Sequence, residues 1–251
     1  MTLTNLKYAA AAAALTILLA AASTAHAQSS APEMPWSVEV GIGWDNGITG
    51  NINSSGIGTI NNQVVVITRN SYNDVYGAGL HLRFGGGYLL NDTTEARVTF
   101  TFQSLDADYV TPMGDIGVSN LYGQYTDYQT FGFDVGLRRY GNLSPKVRAY
   151  GEGTIGLGFV DKVDVTLVAP GANLAGVSND FYDQTTAFTL GANAGVLVQT
   201  GERVGFFGQL GLRWTSGMAE IDDLIGTGLD TINDKSSRWT LPFIVGVRYR
   251  F

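Results

Sequence analysis

The chain contains no cysteine, only two histidines and only six prolines. Without thiols there can be no disulfide framework, thiolate metal centre or cysteine nucleophile. One histidine, His26, falls in the N-terminal leader described below, which leaves His81 as the sole imidazole for acid–base chemistry. Cationic residues are also scarce. Fifteen Lys and Arg against 22 Asp and Glu give a net charge of −7, a poor footprint for nucleic-acid phosphates. After residue 27 the apolar runs are interrupted every second residue, so none supplies the roughly 20 consecutive apolar residues of a spanning helix.

The N-terminus carries export signals. Lys7 provides a short positive segment, Tyr8 to Ala22 an alanine- and leucine-rich run, and Ala25-His26-Ala27 a small-x-small cleavage site. The expected organisation is a cleaved signal peptide over 1–27 and one domain over 28–251. A chain that is exported without disulfides must hold itself together by other means, and a closed hydrogen-bonded barrel is one.

The remaining hydrophobicity follows a period of two, the signature of strands with one apolar face. Trp36, Val38, Val40, Ile42 and Trp44 alternate with Ser37, Glu39, Gly41 and Gly43, and Phe131, Phe133, Val135 and Leu137 alternate with Gly132, Asp134, Gly136 and Arg138. Six further segments behave alike, over 76–84, 95–102, 147–159, 188–199, 204–214 and 238–251.

Alternation alone also fits a soluble sandwich, but three features separate the two. The polar faces are dominated by glycine and isolated charges, which suits the crowded interior of a narrow barrel. The connections alternate between short turns (around 85–94, 141–146 and 200–203) and long loops (roughly 45–74, 105–130, 160–186 and 215–237), the pattern of outer-membrane barrels. Aromatics such as Trp36, Trp44, Tyr88, Trp214, Trp239 and Tyr249 sit near the ends of the apolar faces, where interfacial girdles form. The expected fold is all-β: an eight-stranded antiparallel up-and-down transmembrane β-barrel with four long outer loops and short periplasmic turns.

The C-terminal string Gly246-Val247-Arg248-Tyr249-Arg250-Phe251 resembles the terminal β-signal of outer-membrane proteins. With the leader and the strand count, 36–251 resembles small outer-membrane barrels of the OmpA-domain, OmpX, OmpW and opacity-protein kind. That resemblance implies reading of Gly246, Tyr249 and Phe251 by the barrel-assembly machinery, and contact with outer-membrane lipid and lipopolysaccharide. Pro242 departs from a regular last strand because it lacks a ladder donor, and a bulge is expected there.

By parity the lumen receives Arg83, Arg97, Arg138, Arg148, Arg213, Arg238, Arg248 and Arg250 against Glu39, Glu95, Asp134 and Glu152. Buried charges persist when paired, so these side chains form either a salt-bridged plug or an anion-preferring path. His81 points into the lumen with no adjacent serine and reads as a satisfied interior histidine rather than a catalytic base. Gly151-x-Gly153-x-x-Gly156 spells a dinucleotide fingerprint but lies within a strand pattern with no following helix, so no cofactor is expected.

The long loops hold fifteen carboxylates, among them Asp106, Asp108, Asp164, Asp222 and Asp223, against Arg69, Lys162 and Lys235. They have no EF-hand spacing, and no metal site is expected. Val64 to Ile67 reads as an upward extension of the second strand. The expected role is non-catalytic: envelope integrity with limited passage of small polar or anionic solutes. A surface adhesin binding an unidentified ligand through its loops is the alternative, and a lipid-modifying enzyme is a third.

Overall fold

The structure, a computed structural model, describes residues 34–172, 174–221, 226–233 and 236–251. The leader with Ala25 and Ala27 lies outside these residues, as do Asp222, Asp223 and Lys235. Strand β1 (Trp36–Thr49) runs into a first long connection made of β2 (Asn51–Asn53), β3 (Gly56–Ile60), β4 (Gln63–Ile67), β5 (Asn70–Ser71) and the one-turn helix α1 (Tyr72–Val75). A hairpin of β6 (Gly79–Asn91) and β7 (Thr94–Leu105) follows, and β8 (Thr111–Ile116) and β9 (Ser119–Tyr125) fill the second connection. The next hairpin is β10 (Tyr128–Ser144) with β11 (Val147–Val160), and the third connection holds β12 (Val163–Ala169) and β13 (Leu174–Asp183). After β14 (Thr185–Gln199) and β15 (Val204–Thr215), the fourth connection contains β16 (Ala219–Glu220), and β17 (Arg238–Arg250) ends the chain.

Eight of these strands close into an antiparallel barrel in the order β1-β17-β15-β14-β11-β10-β7-β6. Chain-adjacent barrel strands are neighbours throughout, and the first and last strands are joined by reciprocal backbone bonds between Trp36 and Phe251. Closure leaves no free sheet edge. The outward wall is apolar and open, with Ile42 at 54% exposure and Leu137 at 57%, whereas Glu39 and Arg138 on the inner wall are at 1% and 0%. An apolar wall around a polar interior is stable only where hydrocarbon, not water, lies outside. Among the described residues no helix is long and apolar enough to cross a membrane.

Several expected boundaries move. The second barrel strand starts at Gly79 rather than Tyr76, and it continues to Asn91, through the Gly85-Gly86-Gly87 run that reads as a turn. These glycines stay in the ladder against β1 and β7. A side chain at Gly87 would meet the Glu95 carboxylate at 2.0 Å, and one at Gly85 would meet Arg97 Nη2 at 3.1 Å. They are absent side chains that make room for lumenal charges. At Pro242 the expected bulge is absent, because the register with β1 and β15 is the same on either side of it.

The long connections are not loops draped in solvent. Their strands form a seven-stranded sheet, β16-β13-β12-β9-β8-β4-β3, above the barrel. Val64 to Ile67 therefore belongs to a hairpin of this sheet and does not extend a barrel strand. The sheet reverses the polarity of the barrel: Val65, Met113, Leu121, Val165 and Phe181 are buried inside it. The segment after β16 closes the cap. Leu229 and Ile232 fill its interior, while Thr59 N–H donates to the Thr227 carbonyl and Ser54 N–H to that of Ile232.

Candidate functional site

The lumen is filled in layers. At the short-turn end Leu89, Tyr140, Tyr150, Leu197, Phe207 and Ile244 pack into an apolar floor. Parity places these residues on the inner wall, and their apolar character there departs from a uniformly polar interior. Tyr150 spends its hydroxyl on Gln209 Oε1 at 3.1 Å.

Against this floor packs an ionic cluster contributed by six of the eight barrel strands. Arg138 on β10 reaches Glu39 on β1 (Nη1–Oε1 2.6 Å) and Glu152 on β11 (Nε–Oε2 2.7 Å). Arg97 on β7 bonds Glu39 at 2.6 Å and lies 3.1 Å from Glu152. Arg83 on β6 pairs with Glu152, and Arg248 on β17 pairs with Glu95 at 2.8 Å. Ser37 donates to Glu95 at 2.6 Å, and Tyr140 donates to it as well. Every member is within a few per cent of full burial. Burying seven ionised groups is tolerable only because each carboxylate meets two or more cationic or hydroxyl donors. The Arg138 guanidinium also stacks 4.0 Å from the Tyr150 ring centre, sealing the cluster against the floor.

A small chamber above the cluster is lined by His81, Arg83, Thr101, Asp134, Asn193 and Arg213, among others, and leaves about 20 Å³ for water centres. That is room for about one water molecule. Arg213 and Asp134 form a separate two-bond pair at 2.8 and 3.3 Å. His81 is buried in the lumen as expected, but neither ring nitrogen is hydrogen-bonded. Its Nδ1 stands 3.6 Å from Asp45 Oδ2, beyond bonding distance.

The roof comes next. Arg238 pairs with Gln103, whose amide donates to Asp45, and Thr240 also donates to Asp45 at 3.1 Å. The Arg238 guanidinium lies 4.1 Å from the Tyr128 ring and 5.4 Å from that of Tyr72. Above these rings the apolar interior of the cap begins.

Of the charged residues expected in the lumen, Glu39, Arg83, Glu95, Arg97, Arg138, Glu152 and Arg248 meet in the one cluster, and Asp134 and Arg213 meet in the pair above it. Arg148 does not join them. It is half-exposed at the short-turn end, donating to the Asp92 carbonyl at 2.6 Å and stacking 4.1 Å from Tyr140. Arg250 likewise donates to the Met34 carbonyl. Asp45, expected in an outer loop, is a lumenal residue at 1% exposure, because β1 runs five residues past Trp44. Continuing the parity of β1 to its end would have found it. Gly246 and Tyr249 lie in β17, and Phe251 follows it with its ring against Tyr249. Gly151, Gly153 and Gly156 all lie within β11.

No protein-family model and no curated protein matches the chain. Solved structures are similar in architecture at low identity. Neisserial surface protein A is 14% identical, with a TM-score of 0.43 over 86% of this chain and 97% of that one. The outer membrane protein OprG from Pseudomonas aeruginosa is 12% identical, with a TM-score of 0.40 over 87% and 97%. The outer membrane protease OmpT from Escherichia coli is 8% identical, with a TM-score of 0.46 over 90% and 99%.

Proposed function

We propose that the protein is a non-catalytic, closed structural barrel of the outer membrane that carries a rigid folded lobe on the cell surface. One observation carries this reading: the lumen is filled along its length, from the Leu89–Phe207 floor through the Glu39–Arg138 cluster to the Arg238–Tyr128 roof and the cap. The carboxylates and guanidinium groups of the ionic cluster are spent on one another, as a stabilising core spends them, while both ring nitrogens of His81 stay unbonded. A solute path would need at least three of these layers to part together. Envelope integrity is therefore favoured over passage of small polar or anionic solutes, and with Asp45 counted and Arg148 and Arg250 placed at the mouth, the excess of lumenal arginines over carboxylates falls to six against five. The cap gives any surface ligand a fixed β-sheet face rather than flexible loops.

Two measurements test the proposal. The protein reconstituted in planar bilayers should pass no ionic current at moderate voltage, and a strain lacking it should become more sensitive to large antibiotics and detergents. Steady wild-type conductance, or an envelope unaffected by the loss, would refute it.

A further inference from the structure

The two ends of the molecule differ in charge. Described acidic residues crowd the cap connections, whereas the short-turn end exposes Arg139, Lys146 and Arg203 against Asp92 and Glu202. Arg139 is unusual because of the face it occupies. It follows Val135 and Leu137 on the outward, lipid-facing side of β10, in register with Thr94, the first residue of β7 after its turn. No carboxylate pairs with it among the described residues. A lone guanidinium costs little at the rim of an apolar wall, and there it is placed to meet an anion at headgroup depth. Further round the same rim, Arg203 donates from Nη1 to the hydroxyl of the outward-facing Tyr249 at 3.3 Å, which pins a second guanidinium to the wall.

The wall beside Arg139 is hollow. A shallow groove of about 890 Å³ begins at Leu137 and crosses Gly153, Ile155, Ala192 and Leu212 toward Trp239. A side chain at Gly151, directly across from Arg139, or at Gly153 would meet nothing within 4 Å. The groove is apolar, and its end at the short-turn rim is cationic.

We infer that this wall binds an anionic phospholipid of the inner leaflet, its phosphate on Arg139 and an acyl chain along the Gly153–Ala192 groove. The charge at the rim selects the occupant, because a zwitterionic lipid offers Arg139 a phosphate already partnered by its own ammonium. The inference rests on the reading of the outer wall as lipid-facing.

The test is native mass spectrometry of the protein released from bilayers holding equal phosphatidylglycerol and phosphatidylcholine. Insertion is checked first by heat-modifiable gel migration. Wild type should retain phosphatidylglycerol over phosphatidylcholine by about fivefold, the effect of one interfacial cation. Arg139→Gln should bring the ratio near one, and Gly153→Leu, which fills the groove without touching the fold, should lower the number of lipids retained. Equal retention by inserted wild type, or an unchanged ratio in Arg139→Gln, overturns the lipid site and leaves the barrel standing. Failure to insert overturns the membrane reading itself.

Discussion

Glu39 and Arg138 lie 99 positions apart, yet Arg138 donates to Glu39 at 2.6 Å in the middle of the barrel. The bond ties the first barrel strand to the fourth across the lumen. Removing one partner leaves the other charge buried and unmatched, which costs about 3–5 kcal/mol. Glu39→Gln and Arg138→Met should each destabilise the refolded barrel by that order, as read by urea titration in lipid vesicles. The double variant should cost clearly less than the two singles added, because the two charges removed cancel and Arg97 and Glu152 still face each other. Strict additivity would show that the pair is not coupled.

The layers also give an expectation about permeability. Arg138→Ala with Glu152→Ala opens a gap in the ionic cluster but leaves the floor and roof in place. Arg238→Ala with Tyr128→Ala thins the roof above an intact cluster. Neither double variant should conduct in planar bilayers, whereas the four changes combined with Phe207→Ala should open measurable current. A pore from either double variant alone would mean that the remaining layers do not seal.

How much of this was readable in advance follows from which surface faces which solvent. The eight barrel strands were legible because lipid on one side and charge on the other force a strict alternation, as at Phe131 to Arg138. The cap was not, because its strands are short and bury their apolar sides against other connections and the upper ends of barrel strands. The five residues of β4, for instance, carry valine on both faces. The Gly85-Gly86-Gly87 run misled for a different reason. Local chemistry reads three glycines as a turn, but here Gly87 makes room for Glu95 and Gly85 for Arg97, both reaching over from the next strand. Arg148 was misplaced because parity fixes the face of a side chain and not its depth, and at the mouth of the lumen a carbonyl and water serve it as well as a carboxylate.

The cap should behave as one cooperative unit held by the segment after β16. Leu229 is fully buried inside it, and a buried leucine truncated to alanine costs about 2–5 kcal/mol. Leu229→Ala or Ile232→Ala should therefore make the cap connections susceptible to protease on intact cells, while the barrel keeps its heat-modifiable migration. Wild type should resist cleavage under the same conditions. If wild type is cut as readily as the variants, the connections do not fold as a lobe.

The last strand allows assembly to be separated from stability. Phe251 is 43% exposed beyond β17, with its ring stacked on Tyr249, so Phe251→Ala removes little packing. Gly246 sits where a Cβ would lie 2.2 Å from the Val40 carbonyl oxygen and 2.6 Å from the Phe207 ring, at the seam between first and last strands. Gly246→Val should therefore impair barrel closure both in cells and in detergent refolding, because the clash is with fixed backbone. Phe251→Ala should refold normally in vitro, and its defect should appear only in cells, as lower levels in the outer membrane, if the terminal motif is read by the assembly machinery. Normal cellular levels for Phe251→Ala would remove that role from the residue. Normal refolding of Gly246→Val would mean that β1 and β17 do not meet as closely as the seam requires.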